Sequence, residues 1–158
     1  MIHAILIILH VLTASAWFGL SIRLGSQAKL AASGQLAVAV DGARTISLMG
    51  ILLIATFLFS MTILILGGGY PGQIQYHISS TLIIVLLVLQ FVFLRPTWNN
   101  LRTSIESTNG DQGAELKGGK PFGYARRISI FAGIGHLLWL ALLVLMFWNR
   151  FVIFAFTG

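Results

Sequence analysis

The sequence predicts an all-α protein, an integral membrane four-helix bundle with both termini outside and two cytoplasmic loops. Three observations lead there: apolar runs of bilayer length, a scarcity of charge, and the placement of that charge on one side. Of 158 residues, 57% are hydrophobic and 9% are charged. A soluble chain carries about 25% charged residues. Too few charges remain to cover a water-facing surface, so a soluble enzyme is excluded. The length fits a single domain over residues 1–158. There is no cysteine, which removes disulfides, thiolate-ligated metals and c-type haem attachment.

A bilayer core takes about 20 apolar residues per helix. The first run, 2–22, holds no Lys, Arg, Asp or Glu. It lacks a basic n-region and exceeds the length of an h-region, so it is expected to remain as a span and not to be cleaved as a signal peptide. The second run, 46–66, is equally uncharged. The third, 76–94, is closed by Arg95-Pro96, and the fourth, 128–148, is opened by Arg126-Arg127 and closed by Asn149-Arg150. Backbone groups in lipid must be satisfied internally, so all four are expected to be helices. The segment 23–45 reads as a first inner loop, with Leu30, Leu36, Val38 and Val40 suiting a short interfacial helix that extends the first span. The segment 95–127 reads as a flexible second loop, with Asn109-Gly110 and Gly118-Gly119 as turn signals.

Direction follows from charge. Arg23, Lys29 and Arg44 lie in the first loop; Arg95, Arg102, Lys117, Lys120, Arg126 and Arg127 lie in the second. The turn 67–73 between the middle spans is uncharged and glycine-rich. Nine of the ten basic residues thus share one side, leaving Arg150 apart. The positive-inside rule makes that side cytoplasmic, which puts both termini in the periplasm of a bacterial inner membrane. The net charge of +6 is therefore topology and not a nucleic-acid face, so the partners expected are the lipid bilayer and other membrane subunits.

No acidic residue lies inside a run; Asp41, Glu106, Asp111 and Glu115 are all in loops. Carboxylate acid–base work in the membrane is excluded, and no Ser-His-Asp set gathers at one depth. Four histidines remain: His3, His10, His77 and His136. Ionisable groups in spans are costly and mark function by default. A lone intramembrane histidine also serves as a neutral donor to a carbonyl, tying helices together. His3, His10 and Trp17 recur every seven residues and share a face. With residues 12 and 138 as the middles of their runs, His10 lies roughly 3 Å outward and His136 roughly 3 Å inward of the midplane. His3 and His77 both lie roughly 12–14 Å outward. This gives two depth-matched pairs.

Two imidazoles from facing helices in an apolar bundle suit b-type haem. His10 with His136 is the inner ligand pair; His3 with His77 is an outer pair, giving one or two haems. Ala14, Ala132 and Gly133 leave room for a flat ring, Trp17 and Trp139 wall the slot, and Arg150 with Tyr76 and Gln73 meets propionates. Core packing explains the tryptophans and glycines equally well. Copper is the alternative cofactor, since Met1, Met61, His3 and His77 supply thioether and imidazole ligands toward one face.

Residues 10–19, His-Val-Leu-Thr-Ala-Ser-Ala-Trp-Phe-Gly, carry a further signal. The His-Val-Leu, four residues, Trp-x-Gly pattern resembles the opening helix of the CopD-like membrane proteins, a group that includes copper-resistance permease domains and the HemJ-type protoporphyrinogen oxidases. The resemblance implies that His10 is associated with haem b or metal. Small four-helix dihaem cytochromes b are similar in architecture. The expected role is electron transfer as a b-type cytochrome-like subunit of a respiratory complex, with quinol as a candidate partner. The alternatives are a copper-handling protein and a cofactor-free accessory subunit.

Overall fold

A computed structural model describes the backbone of residues 1–67, 74–110 and 119–157, and side chains of 1–67, 74–107 and 119–147. Nearly all of these residues are helical, and no strand occurs among them. The helices are α1 (Ile2–Ala32), α2 (Leu36–Leu66), α3 (Ile74–Val88), α4 (Arg95–Gly110) and α5 (Lys120–Thr157). A π-helical segment, Leu89–Leu94, joins α3 to α4. Four stretches are long and apolar enough to cross a membrane: Ile2–Ala32, Leu36–Leu66, Ile74–Ser107 and Lys120–Phe147.

The segment 23–45, expected as a loop or as a helical extension of the first span, is mostly helix: it continues α1 through Ala32 and begins α2 at Leu36. A 31-residue helix is about 46 Å long, well beyond a hydrocarbon core of about 30 Å. Arg23 and Lys29 therefore ride on the projecting end of α1. Only three residues turn the chain. Gly34 takes φ 95°, a left-handed conformation that costs glycine nothing, and its N–H donates to the Ala31 carbonyl at 2.9 Å. The expected loop 95–127 is likewise helical through Gly110 and again from Lys120; residues 111–118 lie outside the described residues.

Arg95-Pro96 does not end the third span. Proline lacks an N–H and its ring clashes with the carbonyl four residues back. The π-helical segment lies directly before it and absorbs that misfit by widening the turn. The helix then runs on to place Trp98, Leu101 and Ile105 at 0% exposure. At the start of α5, Pro121 sits in the first turn, where its missing N–H has no intrahelical partner to lose.

Neighbouring helices are antiparallel. Gln27 faces Asp41 and His10 faces Thr56 across α1 and α2. The Gln90 amide donates to the Ile46 carbonyl and the Trp98 indole to the Ala39 carbonyl, both at 2.9 Å. Ser21 meets His136 across α1 and α5. The result is an up-down-up-down bundle.

Packing is uneven along its length. At the end bearing the 33–35 turn, Leu24, Ala28, Ala31, Ala32, Ala39, Trp98, Leu101, Ile105 and Ile128 are sealed at 0% exposure. The lysines and arginines whose side chains are described, Arg23, Lys29, Arg44, Arg95, Arg102, Lys120, Arg126 and Arg127, all lie at or toward this end. At the other end nothing among the described residues is sealed: no residue before Trp17 in α1, after Thr56 in α2, before Ile83 in α3 or from 136 to 147 in α5 is buried. Large apolar side chains such as Ile8, Leu12, Leu58, Leu137 and Leu140 face outward, as lipid-facing positions do.

Candidate functional site

The loosely packed half encloses a cavity of about 190 Å³. His10, Ala14 and Trp17 of α1 line it, with Leu53, Thr56 and Ser60 of α2, Ser79 and Ile83 of α3, and Trp139 and Met146 of α5. The small side chains Ala14, Ser60 and Ser79 leave the space unfilled, and Trp17 and Trp139 line its inner end. An engineered cavity of about 150 Å³ admits benzene. The space here suits one substituted ring or a stretch of prenyl or acyl chain, and its walls are mainly apolar, with hydroxyls from Ser15, Thr56, Ser60 and Ser79.

His10 is the cavity's distinctive polar group. Its Nδ1 lies 3.2 Å from the Thr56 carbonyl oxygen. A carbonyl only accepts, so Nδ1 carries the proton and Nε2 keeps its lone pair. Among the described residues Nε2 has no hydrogen-bonding side-chain or backbone partner. A second link secures the geometry one turn inward. The Thr56 hydroxyl meets the Thr13 hydroxyl at 2.9 Å, and Thr13 donates back to the α1 carbonyls of Leu9 or His10 at 2.9 and 3.1 Å. Thr13 and Thr56 thus clamp α1 to α2 beside the imidazole. Replacing Thr56 by valine keeps shape and carbonyl but removes this clamp. The expected cost is about 1 kcal/mol of stability, read as a lower melting temperature in detergent.

His136 is elsewhere. Its Nε2 lies 2.8 Å from the Ser21 hydroxyl, which also reaches the Phe18 carbonyl at 2.7 Å. Phe18 packs its ring edge-on to His136 (5.4 Å between centroids) and stacks on Trp139 at 4.2 Å. From His10 to Ser21 is roughly 16 Å along α1. The expected His10–His136 ligand pair is therefore not brought together. The cause is helix register: α1 runs ten residues past its apolar run, so the packing partner of His136 is Ser21 and not His10. Ser21→Ala is expected to leave the His136 imidazole short of a partner and cost about 1–2 kcal/mol, measured by the same thermal shift.

The outer pair is also not assembled. His3 and His77 are exposed. Met1 and His3 share a shallow hollow with Leu66 and Gly67, which neither Met61 nor His77 lines. Among the described residues no group of three or more His, Cys, Asp or Glu side chains is placed to hold a metal ion. Gln73 and the side chain of Arg150 lie outside the described residues. Neither histidine pair is brought together among the described side chains: His10 lines the cavity, His136 bonds Ser21, and His3 and His77 are exposed.

Thr13, Thr56, Ser21 and Gln90 are the polar groups that the histidine spacing does not point to. The signal for them is simple: a hydroxyl or amide within an apolar run needs a partner. No family model, curated protein or solved structure matches the chain, so the resemblance of residues 10–19 rests on those residues alone.

Proposed function

We propose that this chain is a multi-pass membrane protein that binds a lipophilic redox ligand of the quinol class, with its ring in the cavity and a ring hydroxyl donating to His10 Nε2. One observation carries the reading. The Thr56 carbonyl accepts from Nδ1–H, which leaves the Nε2 lone pair free of a protein partner among the described residues, beside a mainly apolar cavity whose other polar lining is the hydroxyls of Ser15, Thr56, Ser60 and Ser79. A carboxylate in that position would be far costlier to bury. The cavity volume matches a single substituted ring, and the unsealed packing of this half among the described residues supports access for a prenyl tail. The excess of basic residues near the 33–35 turn supports a cytoplasmic location for that end, with the cavity in the opposite, periplasmic half of a bacterial inner membrane.

A second reading keeps haem b. A histidine whose Nδ1–H is held by a carbonyl is oriented as metal-ligating imidazoles are, and Met146, a thioether, lines the same cavity. His10 and Met146 would then be the residues facing the iron, which supplies one-electron redox chemistry when bound. A tetrapyrrole is several times larger than one ring, so α1 and α5 must part to admit it.

One preparation separates the two. Protein purified in mild detergent is extracted and analysed for quinones by mass spectrometry, and a reduced-minus-oxidised visible spectrum is recorded. Co-purifying quinone with a flat spectrum is the expected result. A b-type spectrum replaces it with the haem reading. Neither signal, with no binding of added decylubiquinol, overturns both.

A further inference from the structure

We propose that a single ordered water binds at the middle of the bundle, bridging the Trp17 indole to the Gln90 side-chain carbonyl. The void adjoins the ligand cavity, with Trp17 and Leu86 lining both, and the proposal does not rest on what occupies that cavity. Trp17 is 4% exposed and Gln90 2%. Among the described residues, Trp17 Nε1 and Gln90 Oε1 are buried polar atoms without a protein partner. The Gln90 orientation is set by its own chemistry: the amide nitrogen donates to the Ile46 carbonyl at 2.9 Å, which turns the oxygen the other way. Leaving a buried donor or acceptor unmet is costly, and more so in lipid.

Both residues line one small void of about 10 Å³, together with Ser21, Phe131 and Gly135. That is about the space one water requires. The orphan atoms also specify the occupant. An indole N–H only donates and an amide oxygen only accepts. A cation cannot accept from Trp17, an anion cannot donate to Gln90, and an apolar group does neither. Water does both, and the Ser21 hydroxyl, 2% exposed, gives it a third neighbour. Gln90 reaches the void from within the π-helical segment, a distortion that recurs at functional sites. The water completes a polar path from Gln90 to Ser21 and on to His136, tying α1 to the third and fourth spans at mid-membrane.

Gly135→Ala tests the site by filling it. An added Cβ would sit 3.4 Å from Trp17 Cη2 and 3.6 Å from Leu89 Cδ2, ordinary contacts that permit folding. The measurement is the water cross-peak of the ¹⁵N-labelled indole N–H groups in deuterated detergent, assigned with Trp17→Phe. Trp98, whose N–H donates to the Ala39 carbonyl, is the internal negative control. The expected result is a water cross-peak at Trp17 and none at Trp98. Gly135→Ala abolishes that peak, moves the Trp17 indole proton upfield and lowers the melting temperature. Absence of a water cross-peak at wild-type Trp17 overturns the proposal. So does a Gly135→Ala protein that melts higher with its Trp17 resonance unmoved, the behaviour of a dry void being filled.

Discussion

Replacing Gly42 by alanine is expected to destabilise the bundle by about 1–3 kcal/mol, the usual range for overpacking a filled core. A Cβ at this position would overlap Cζ2 of the Trp98 indole and come within 2.8 Å of Cε2. The ring cannot retreat. It is fully buried, and its N–H is held by the Ala39 carbonyl, so a shift that relieves the clash breaks a hydrogen bond in the same move. Alanine gains about 1 kcal/mol over glycine in helix propensity, which the clash must exceed. Gly19 supplies the control: nothing lies within 4 Å of a Cβ built there, so Gly19→Ala is expected to be neutral or stabilising. Thermal unfolding in detergent reads both. For a chain of this size, each kcal/mol moves the midpoint by about 2–4 °C. A Gly42→Ala protein that melts at or above the wild type would show that Trp98 does not wedge α4 against α2.

Why that contact is invisible in the sequence says what the sequence does carry. The four apolar runs are legible because lipid imposes a length and forbids charge, and both constraints act on composition. Helix ends are not legible by the same logic. Composition marks where the bilayer stops, whereas α1, α2 and the third helix continue past it because they keep packing on one another. Arg23, Lys29 and Arg102 look like loop residues and ride on helices. Pro96 reads as a stop and is passed, since a π-helical turn of six residues accommodates it. Within the site, the prominence of His10 and the face it shares with Trp17 are legible from their spacing. Its partner is not. The contact with Thr56 depends on the α1–α2 register, which the tight turn at Gly34 sets. The register of α1 against α5 undoes the depth estimate for His136, because centring each apolar run ignores how unequally the helices project. Trp17 meets Gly135 and Phe18 meets Trp139, so His10 falls opposite the far end of α5.

The largest functional effect is expected at His10. With His10→Ala, binding of decylubiquinol is expected to weaken about 10–100-fold. Removing the acceptor strands the ring hydroxyl in an apolar cavity, a loss of about 1–3 kcal/mol, and each 1.4 kcal/mol is tenfold in affinity. His10→Gln keeps an acceptor but loses the carbonyl-fixed geometry, so it should fall between. His136→Ala is the contrasting variant. Its imidazole bonds Ser21 and does not line the cavity, so binding should hold within a few-fold even if stability drops. Titration of each purified variant by fluorescence quenching checks the order, with Trp17 and Trp139 as reporters in the cavity wall. The opposite order, His136→Ala abolishing binding while His10→Ala spares it, would move the site to the Ser21–His136 level. If haem is the native ligand instead, the same two variants still discriminate. His10→Ala would then abolish the reduced-minus-oxidised band, His136→Ala would leave it, and Met146→Leu would alter its position without removing it, since His10 would still hold the group.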